Sequence, residues 1–259
     1  PDLYWVKNSS KHVVRSGGAV VSDPQSTPKA DDTLRVVCIS DTHGLHDRMK
    51  DLPEGDILIH AGDFSNTGDE DQVESFNSWL GSLSHRHKIV IAGNHDVTFD
   101  ETWSTDPRTR KRSLLTCDQA DAAAMRGMLT NCTYVQDATV EVEGYAFYGS
   151  PWQPFFCDWA FNLPRGKPLR TKWTQIPAGT DVLITHGPPI GASVAPKRLQ
   201  GMAISCTEVE QRIKPKFHVF GHIHEGAHTI EKFAGRGVTT NGVTTFINAS
   251  SCGVPYRPV

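Results

Sequence analysis

The sequence predicts an α/β fold, and three observations support this prediction. Short aliphatic runs of strand length recur along the chain. Segments whose apolar residues lie three and four positions apart, as in a helix packed on a sheet, alternate with several of these runs. Five of the runs end in Asp, Asn or His beside a glycine. Because ligand sites of open α/β sheets lie outside the carboxyl ends of the strands, these residues also indicate where a site would be.

The five strands that carry these polar ends are predicted at residues 34–40, 57–60, 88–92, 182–185 and 218–220. The second of them organises the chain, because Gly62 allows a tight turn directly after the strand and Asp63 follows it. We expect the polar residues at the five ends to meet at one edge of the fold. They are Asp41, His43, Asp63, Asn94, His95, His186, His222 and His224.

Three helices are predicted from periodicity and end signals. Residues 69–83 place apolar side chains at helical spacing. Residues 118–129 are rich in alanine and follow a potential cap at Asp118. A short helix is predicted over 206–213, ending before Pro215.

The remaining segments are a strand pair, a last strand and an insertion. Residues 140–149 alternate as two strands around Glu143 and Gly144, and 244–248 is predicted to be the last strand. Residues 97–117 form a long insertion, and loops of this length often make functional rims. Its basic run at 108–112 is interpreted as a solvated loop or helix start in preference to a phosphate-binding patch.

One catalytic domain is predicted over residues 34–259, because no linker interrupts the span that carries the motifs. Residues 1–33 are rich in Ser, Gly, Pro and Asp, and we expect a partly mobile arm on the surface.

Composition and charge argue against several classes of function. A net charge of −3 and a pI near 6.5 provide no basic face, so a nucleic-acid polymer is not an expected partner. No apolar segment approaches the roughly 18–20 residues that span a bilayer, and no signal peptide is seen. The six cysteines show no CxxC spacing, which favours free thiols in a reducing compartment and a cytoplasmic location.

The donor types at the strand ends predict a metal centre. Carboxylates, imidazoles and one amide suit Mn, Fe, Zn and similar ions better than a thiolate-seeking metal. Without His95 there are seven candidate ligands, too many for one tetrahedral ion. Two ions that share a bridging carboxylate accommodate them.

The order of these motifs resembles the calcineurin-like metallophosphoesterase superfamily over roughly residues 34–250. The motifs are Asp-x-His at 41–43, Gly-Asp at 62–63, Gly-Asn-His-Asp at 93–96, His-Gly at 186–187 and Gly-His-x-His at 221–224. The residues that flank these motifs are similar to those of the metallophosphoesterase-domain-containing branch, which is of the class III cyclic nucleotide phosphodiesterase type. The segments that carry this narrower likeness are ISDTHG, ILIHAGDFS, AGNHD, YGSPW, WAFNLPRG, ITHGPP and HVFGHIHEG.

The resemblance implies a two-sheet αββα sandwich with two divalent ions, Mn being favoured and Fe, Zn, Co or Mg being alternatives. One ion would be held by Asp41, His43, Asp63 and His224. The other would be held by Asp63, Asn94, His186 and His222, so that Asp63 bridges. The implied reaction is in-line attack on phosphorus by a hydroxide shared between the ions.

The resemblance also assigns His95 to the phosphoryl oxygen or to the leaving alkoxide, with Asn94 beside it. Related protein phosphatases orient this histidine with an aspartate three residues after the bridging one, but this chain has Asn66 there. Some members of the branch have glycine at the position of His222, where this chain keeps the histidine.

The most aromatic stretch, residues 150–159, allows two interpretations. Its aromatic side chains belong to the core, or they form a wall on which a nucleobase stacks, with Trp152 as the candidate substrate-binding residue. The histidines outside the motifs are interpreted as packing, structural or surface residues. They are His60, which we expect to be buried, and His12, His46, His85, His87, His218 and His228.

Three functions remain open on the sequence. The leading hypothesis is a metal-dependent phosphodiesterase for nucleotide-like small molecules, with 2′,3′-cyclic nucleotides hydrolysed better than 3′,5′-cyclic ones. The alternatives are a phosphomonoesterase, including a protein phosphatase, and a nucleotide-binding scaffold of low activity.

Overall fold

The structure is a computed structural model that describes residues 29–49, 52–105, 121–189, 208–224, 238–253 and 257–258. Most of the predicted N-terminal arm, residues 1–28, lies outside the described residues, as does the basic run at 108–112. The domain boundary at residue 34 stays a prediction, and so does the cytoplasmic location. Across the part of the chain that is described, none of the helices combines the length and apolar character needed to cross a membrane.

The first sheet is entirely parallel, in the order β1-β2-β3-β4. Its strands are β1 (Val36–Ile39), β2 (Ile57–Ala61), β3 (His87–Ile91) and β4 (Thr133–Tyr134). All five residues of β2 are buried, as expected of a parallel strand that is covered on both faces.

The second sheet is mixed, in the order β11-β12-β10-β9-β6-β5. Its strands are β5 (Ala138–Val142), β6 (Tyr145–Ser150), β9 (Val182–Thr185), β10 (Phe217–Phe220), β11 (Val238–Thr240) and β12 (Thr245–Asn248). The four central strands are parallel, and β5 and β11 pair antiparallel at the two edges. The predicted strand pair around Glu143 and Gly144 is confirmed, and both turn residues have the positive φ (52° and 79°) of a tight hairpin turn.

The helices lie between the strands in sequence. They are α1 (Glu70–Ser82), α2 (Glu101–Thr105), α3 (Ala122–Met128) and α4 (Lys167–Thr174), with short 3-10 turns at His46–Arg48 and Val97–Phe99. The helix predicted over 69–83 is confirmed as α1, whose buried face is formed by Val73, Phe76 and Leu80. The helix predicted over 206–213 is described as a π-helical turn at Glu208–Ile213.

Two predictions about the elements were wrong. Helix α3 begins at Ala122, and its cap is Asp121, whose side chain accepts from the Ala123 N–H at 2.9 Å. The proposed cap Asp118 lies outside the described residues. The strand predicted at 244–248 is not the last one, because β13 (Cys252–Gly253) and β14 (Arg257–Pro258) pair after it.

A small parallel pair, β7 (Gln153–Pro154) with β8 (Asn162–Leu163), was also not predicted. Strands of two residues are too short to show an alternating pattern, so sequence periodicity does not detect them.

Alternating side chains separate the layers of the fold. Ile59 and Ile89 of the first sheet pack with Phe147 and Ile184 of the second in one buried cluster between the sheets. Residues on the opposite faces, such as Leu58, belong to a second cluster that contains the buried residues of α1 and α4. The predicted αββα sandwich is confirmed.

The register of the parallel strands brings the motif residues to one edge. Ile39 pairs with His60, and His60 pairs with Val90, so the segments that follow β1, β2 and β3 leave the sheet side by side. The loops after β9 and β10 do the same in the second sheet, where Ile184 pairs with Val219. A bridge between Ser40 and Ser250 joins the two edges.

Candidate metal centre

Six of the predicted ligands form two compact groups past the strand ends. The first donor group is Asp41, His43 and His224, and the second donor group is Asp63, His186 and His222. Within each group the candidate ligand atoms all lie within 4.8 Å of one another. Each group combines side chains from both sheets, so neither exists until the sandwich has formed.

The backbone turns sharply at four of these residues. Asp41, His43, Asp63 and His222 have φ between 45° and 67°, the left-handed region that non-glycine residues rarely adopt. Loop hydrogen bonds hold this conformation: the Asp41 N–H donates to Gly62 O at 2.9 Å, and the His43 N–H donates to Asp63 O at 3.0 Å. Strained conformations of this kind cluster at ligand sites.

Gly93 shows how tightly the second group is packed. A Cβ added there would overlap the Asp63 carboxylate and lie 2.6 Å from Cε1 of His186. The glycine of the Gly-Asn-His-Asp motif is therefore required by space, because a side chain would push the carboxylate and the imidazole apart.

In the first donor group a carboxylate is paired with a histidine. His224 Nε2 lies 3.2 Å from Asp41 Oδ1 and 3.3 Å from His43 Nε2. Both oxygens of Asp41 also accept the His222 N–H, at 3.0 and 2.9 Å. The carboxylate is thus oriented by the backbone of the Gly-His-x-His loop.

In the second donor group His186 is fixed from behind. Its Nδ1 donates to Ala61 O at 2.9 Å, which directs Nε2 toward Asp63 Oδ2 at 3.2 Å and Asn94 Oδ1 at 3.1 Å. Hydrogen bonding of the remote ring nitrogen to a carbonyl is typical of histidine metal ligands. Asp63 Oδ2 also lies 3.9 Å from His43 Nε2, so this carboxylate lies between the two groups.

Each group contains one histidine whose pKa is raised by a carboxylate. Burial alone lowers the pKa of His186, but the charge of Asp63 and their hydrogen bond raise it to about 9. Burial likewise opposes the charge of His224, yet Asp41 raises its pKa. Burial would raise the pKa of Asp41 and of Asp63, but the adjacent His224 and His186 hold both carboxyl pKa values below the usual range.

The other histidine of each group is neutral. Burial lowers the pKa of His43 to about 4, and burial together with the charge of His186 lowers that of His222 to about 3. Nε2 of His222 is buried and has no hydrogen-bond partner among the residues that the structure describes. A neutral imidazole with a buried, unpartnered nitrogen beside a carboxylate fits a divalent cation, so the donor set suits metal ions.

His95 lies at the boundary of the two groups. Its N–H donates to Asp63 Oδ1 at 2.8 Å, and its Nδ1 donates to the main-chain oxygen of Asn66 at 3.0 Å. The Asn66 side chain turns away and donates to His43 O at 3.1 Å. The carboxylate that is missing at position 66 is thus replaced by the main-chain carbonyl of the same residue, which the residue type does not reveal.

Trp152 is a buried member of the core. It is 6% exposed, its Nε1 donates to Asp137 Oδ2 at 2.7 Å, and Lys172 Nζ lies 4.2 Å from its ring. These contacts place Trp152 in the core, which favours the core interpretation of this residue, and its role as a substrate-binding residue stays a prediction. The aromatic side chain that contacts His95 is Trp159, stacked on it with ring centroids 4.2 Å apart and planes 27° apart.

Two residues near the donors were missed by sequence reasoning. Gln153 is 1% exposed, and its Nε2 donates to Asn94 Oδ1 at 3.3 Å and to Asn162 Oδ1 at 3.2 Å. The carboxylate of Asp96 accepts from the Ser65 and Gly93 N–H groups, at 3.0 and 2.8 Å, and so holds the turn that carries Asn94. Asp96 belongs to a recognised motif and was detectable, whereas nothing in the local sequence distinguishes Gln153.

Two buried histidines contact the loops that carry candidate ligands. His60 Nε2 lies 3.0 Å from Oγ1 of Thr42, and His218 Nε2 lies 2.8 Å from Oγ1 of Thr185. Each threonine is adjacent in sequence to a candidate ligand. The expectation that His60 is buried is confirmed.

The other histidines outside the motifs divide into three kinds. His46 and His85 are buried, and His87 lies 3.1 Å from Glu143 at the surface. His12 and His228 lie outside the described residues.

Comparisons with known proteins agree with this site. Residues 34–226 match the family model described as Calcineurin-like phosphoesterase. Human Metallophosphoesterase domain-containing protein 1 is 46% identical over 245 residues, covering 91% of this chain and 72% of the human protein. UPF0046 protein T07D4.2 of Caenorhabditis elegans is 40% identical over 266 residues, covering 97% of this chain and 64% of the nematode protein.

A solved structure supports the fold alone. The protein TT1561 of Thermus thermophilus superposes with a TM-score of 0.50 at 12% identity, covering 83% of this chain and 89% of that one. The family model and the two relatives confirm the predicted superfamily and its metallophosphoesterase-domain-containing branch.

Proposed function

Because the chain belongs to the calcineurin-like phosphoesterases and is therefore a metal-dependent phosphoric ester hydrolase, we propose that it is a two-metal phosphodiesterase. Its substrates are nucleotide-like small molecules, and 2′,3′-cyclic nucleotides are hydrolysed better than 3′,5′-cyclic ones.

The position of Asp63 carries the proposal. Its Oδ2 lies 3.2 Å from His186 in the second donor group and 3.9 Å from His43 in the first. A carboxylate shared in this way is the ligand that a pair of ions about 3.5–4 Å apart requires. We assign one ion to the first donor group plus Asp63, and the other to the second donor group plus Asn94.

Bound divalent ions would supply Lewis-acid stabilisation of a phosphoryl group and lower the pKa of water at this site. The donors are nitrogen and oxygen atoms throughout, which suits Mn²⁺ and is compatible with Fe, Zn, Co or Mg.

His95 provides the group that the leaving oxygen needs. Its Nδ1 carries the hydrogen bond to Asn66 O, so Nε2 is the nitrogen that can meet a phosphoryl oxygen or give a proton to a departing alkoxide. The acceptor behind the ring is a neutral carbonyl rather than a carboxylate. The imidazolium therefore gains less electrostatic support, and we expect acid assistance to be modest.

A site with modest acid assistance depends more on the strain of its substrate. The five-membered phosphate ring of a 2′,3′-cyclic nucleotide is strained, so part of the barrier to opening it is offset before binding. The 3′,5′ ring holds less strain. The preference for the 2′,3′ isomer follows from this difference and needs little recognition of the base.

A hydrolysis panel with and without added Mn²⁺ tests the proposal. It compares the two cyclic isomers of one nucleotide, an acyclic diester and a simple monoester by kcat/KM on protein whose metal content is measured. We expect activity only with metal and a higher value for the 2′,3′ isomer. Equal values for the two isomers contradict the strain argument, and faster monoester hydrolysis moves the protein to the phosphomonoesterases.

A further inference from the structure

We propose that Trp159 is a positioning residue that holds the imidazole of His95 with Nε2 toward the reacting phosphate. The proposal rests on the proposed function of His95. It gives a role to the aromatic stretch at residues 150–159, which contains no candidate metal ligand.

His95 is restrained on three sides. Nδ1 donates to Asn66 O at 3.0 Å, and because a carbonyl oxygen only accepts, Nδ1 is the protonated nitrogen. One face of the ring stacks on Trp159, with centroids 4.2 Å apart. The edge meets the ring of His43 at a centroid distance of 4.7 Å and an interplanar angle of 84°. Of these contacts, the indole is the one that blocks rotation of the imidazole plane.

The segment between β7 and β8, residues 155–161, carries Trp159 and is called the strap here. It is attached to the loop that carries His95. The Ala160 N–H donates to Asn94 O at 3.2 Å, and these two residues are the sequence neighbours of Trp159 and His95. The carbonyl of Trp159 accepts from Asn162 Nδ2 at 2.9 Å, and that of Asp158 accepts from Trp103 Nε1 at 3.3 Å. The indole therefore has a fixed position relative to the imidazole that it covers.

The need for this contact follows from residue 66. A carboxylate would attract the imidazole by charge and restore its orientation after each excursion, whereas a single hydrogen bond to a neutral carbonyl acts as a hinge. Stacking supplies the missing restraint. Misplacement of a reacting group by 1 Å costs on the order of 10²-fold in rate, so a ring free to turn would lose much of its contribution.

The kinetic experiment compares Trp159→Leu with Trp159→Phe. Phe155→Leu is the matched control, because Phe155 lies on the same strap and is 61% exposed. Substrates with an alkoxide leaving group need His95, whereas diesters that release p-nitrophenolate do not. We expect Trp159→Leu to lower kcat at least about tenfold for substrates that release an alkoxide, and less than about threefold for diesters that release p-nitrophenolate. KM should change less than kcat. Trp159→Phe should retain most of the activity, and Phe155→Leu all of it.

A double mutant separates positioning from any independent effect. In a His95→Ala background, Trp159→Leu should cause little additional loss, because its effect passes through the imidazole. A full loss in that background, equal losses for both leaving groups, or reduced metal content overturns the proposal.

A measurement without turnover keeps the inference separate from the proposed function. In ¹H NMR spectra of the Zn²⁺-loaded protein, which is diamagnetic, the resonances of the His95 ring protons should be shifted upfield by the stacked indole. The shift should be lost in Trp159→Leu and kept in Phe155→Leu. If the wild-type protein hydrolyses no diester but shows this shift, the positioning stands and the proposed function fails. If diester hydrolysis is normal and the shift and kcat survive Trp159→Leu, the positioning fails alone.

Discussion

The two donor groups have the same composition but different dependence on their neighbours. Each contains one carboxylate and two histidines, and in each the carboxylate lies 3.2 Å from Nε2 of one histidine. The carboxylate of the first group, Asp41, belongs to that group alone and is held by the His222 N–H. The carboxylate of the second group, Asp63, also lies near His43 of the first group.

The second group is also better supported. Ala61 O fixes the ring of His186, and Gln153 contacts the additional donor Asn94. In the first group the side chain of His224 is 12% exposed, whereas that of Asp41 is fully buried. Shared ligands make two sites depend on one residue, whereas local supports make one site independent of the other.

The largest effect should come from Asp63→Asn, which removes charge from both sites at once. We expect both ions to be lost or greatly weakened and kcat/KM to fall by more than about 100-fold, since even changes behind a ligand cost 10–100-fold. Elemental analysis and Mn²⁺-dependent hydrolysis measure the two quantities. Asp56→Asn is the matched control, because Asp56 pairs with Lys29 away from the donors. Near-normal metal content and turnover in Asp63→Asn would show that the bridging assignment is wrong.

His222→Gly and His224→Gly should divide the pair of ions. The first change removes a donor from the second group and should empty that site while the first ion stays bound. The second change should do the reverse. Metal stoichiometry and the spectroscopic signature of a coupled Mn²⁺ pair report the outcome. If either variant loses both ions equally, the two groups do not act as separate sites.

Metal binding should release protons. The pKa of His186 is raised to about 9 by Asp63, so this imidazole is charged near neutral pH and must lose its proton to bind a cation. Apparent metal affinity should therefore rise with pH, by about tenfold per unit below that pKa for each proton released. Metal titrations in weak buffer with a pH indicator measure the release. Affinity that is independent of pH would contradict the ion pair of His186 and Asp63.

The smallest effect should come from Gln153→Leu, which keeps the side-chain volume but removes the amide that contacts Asn94. We expect about tenfold weaker binding at the second site and an unchanged first site, the lower end of the range for residues behind a ligand. Metal competition with a chelator of known affinity resolves the two sites. Equal weakening of both sites would indicate a general loss of packing instead.

The sequence by itself determined the α/β class, the five strand ends and the identity of the residues at them. This was possible because these features are local: an aliphatic run predicts a strand, and Asp41, Asp63 or His186 directly follows one. The order of the motifs was enough to predict the two sheets through family resemblance.

Only the tertiary structure decided which residues support these donors. It stacked Trp159 on His95, brought Gln153 to Asn94, and placed the carbonyl of Asn66 where a side chain was expected. Contacts of this kind join positions far apart in the chain or involve backbone atoms that every residue has. Residue type alone cannot reveal them, because they depend on where packing of the two sheets places each loop.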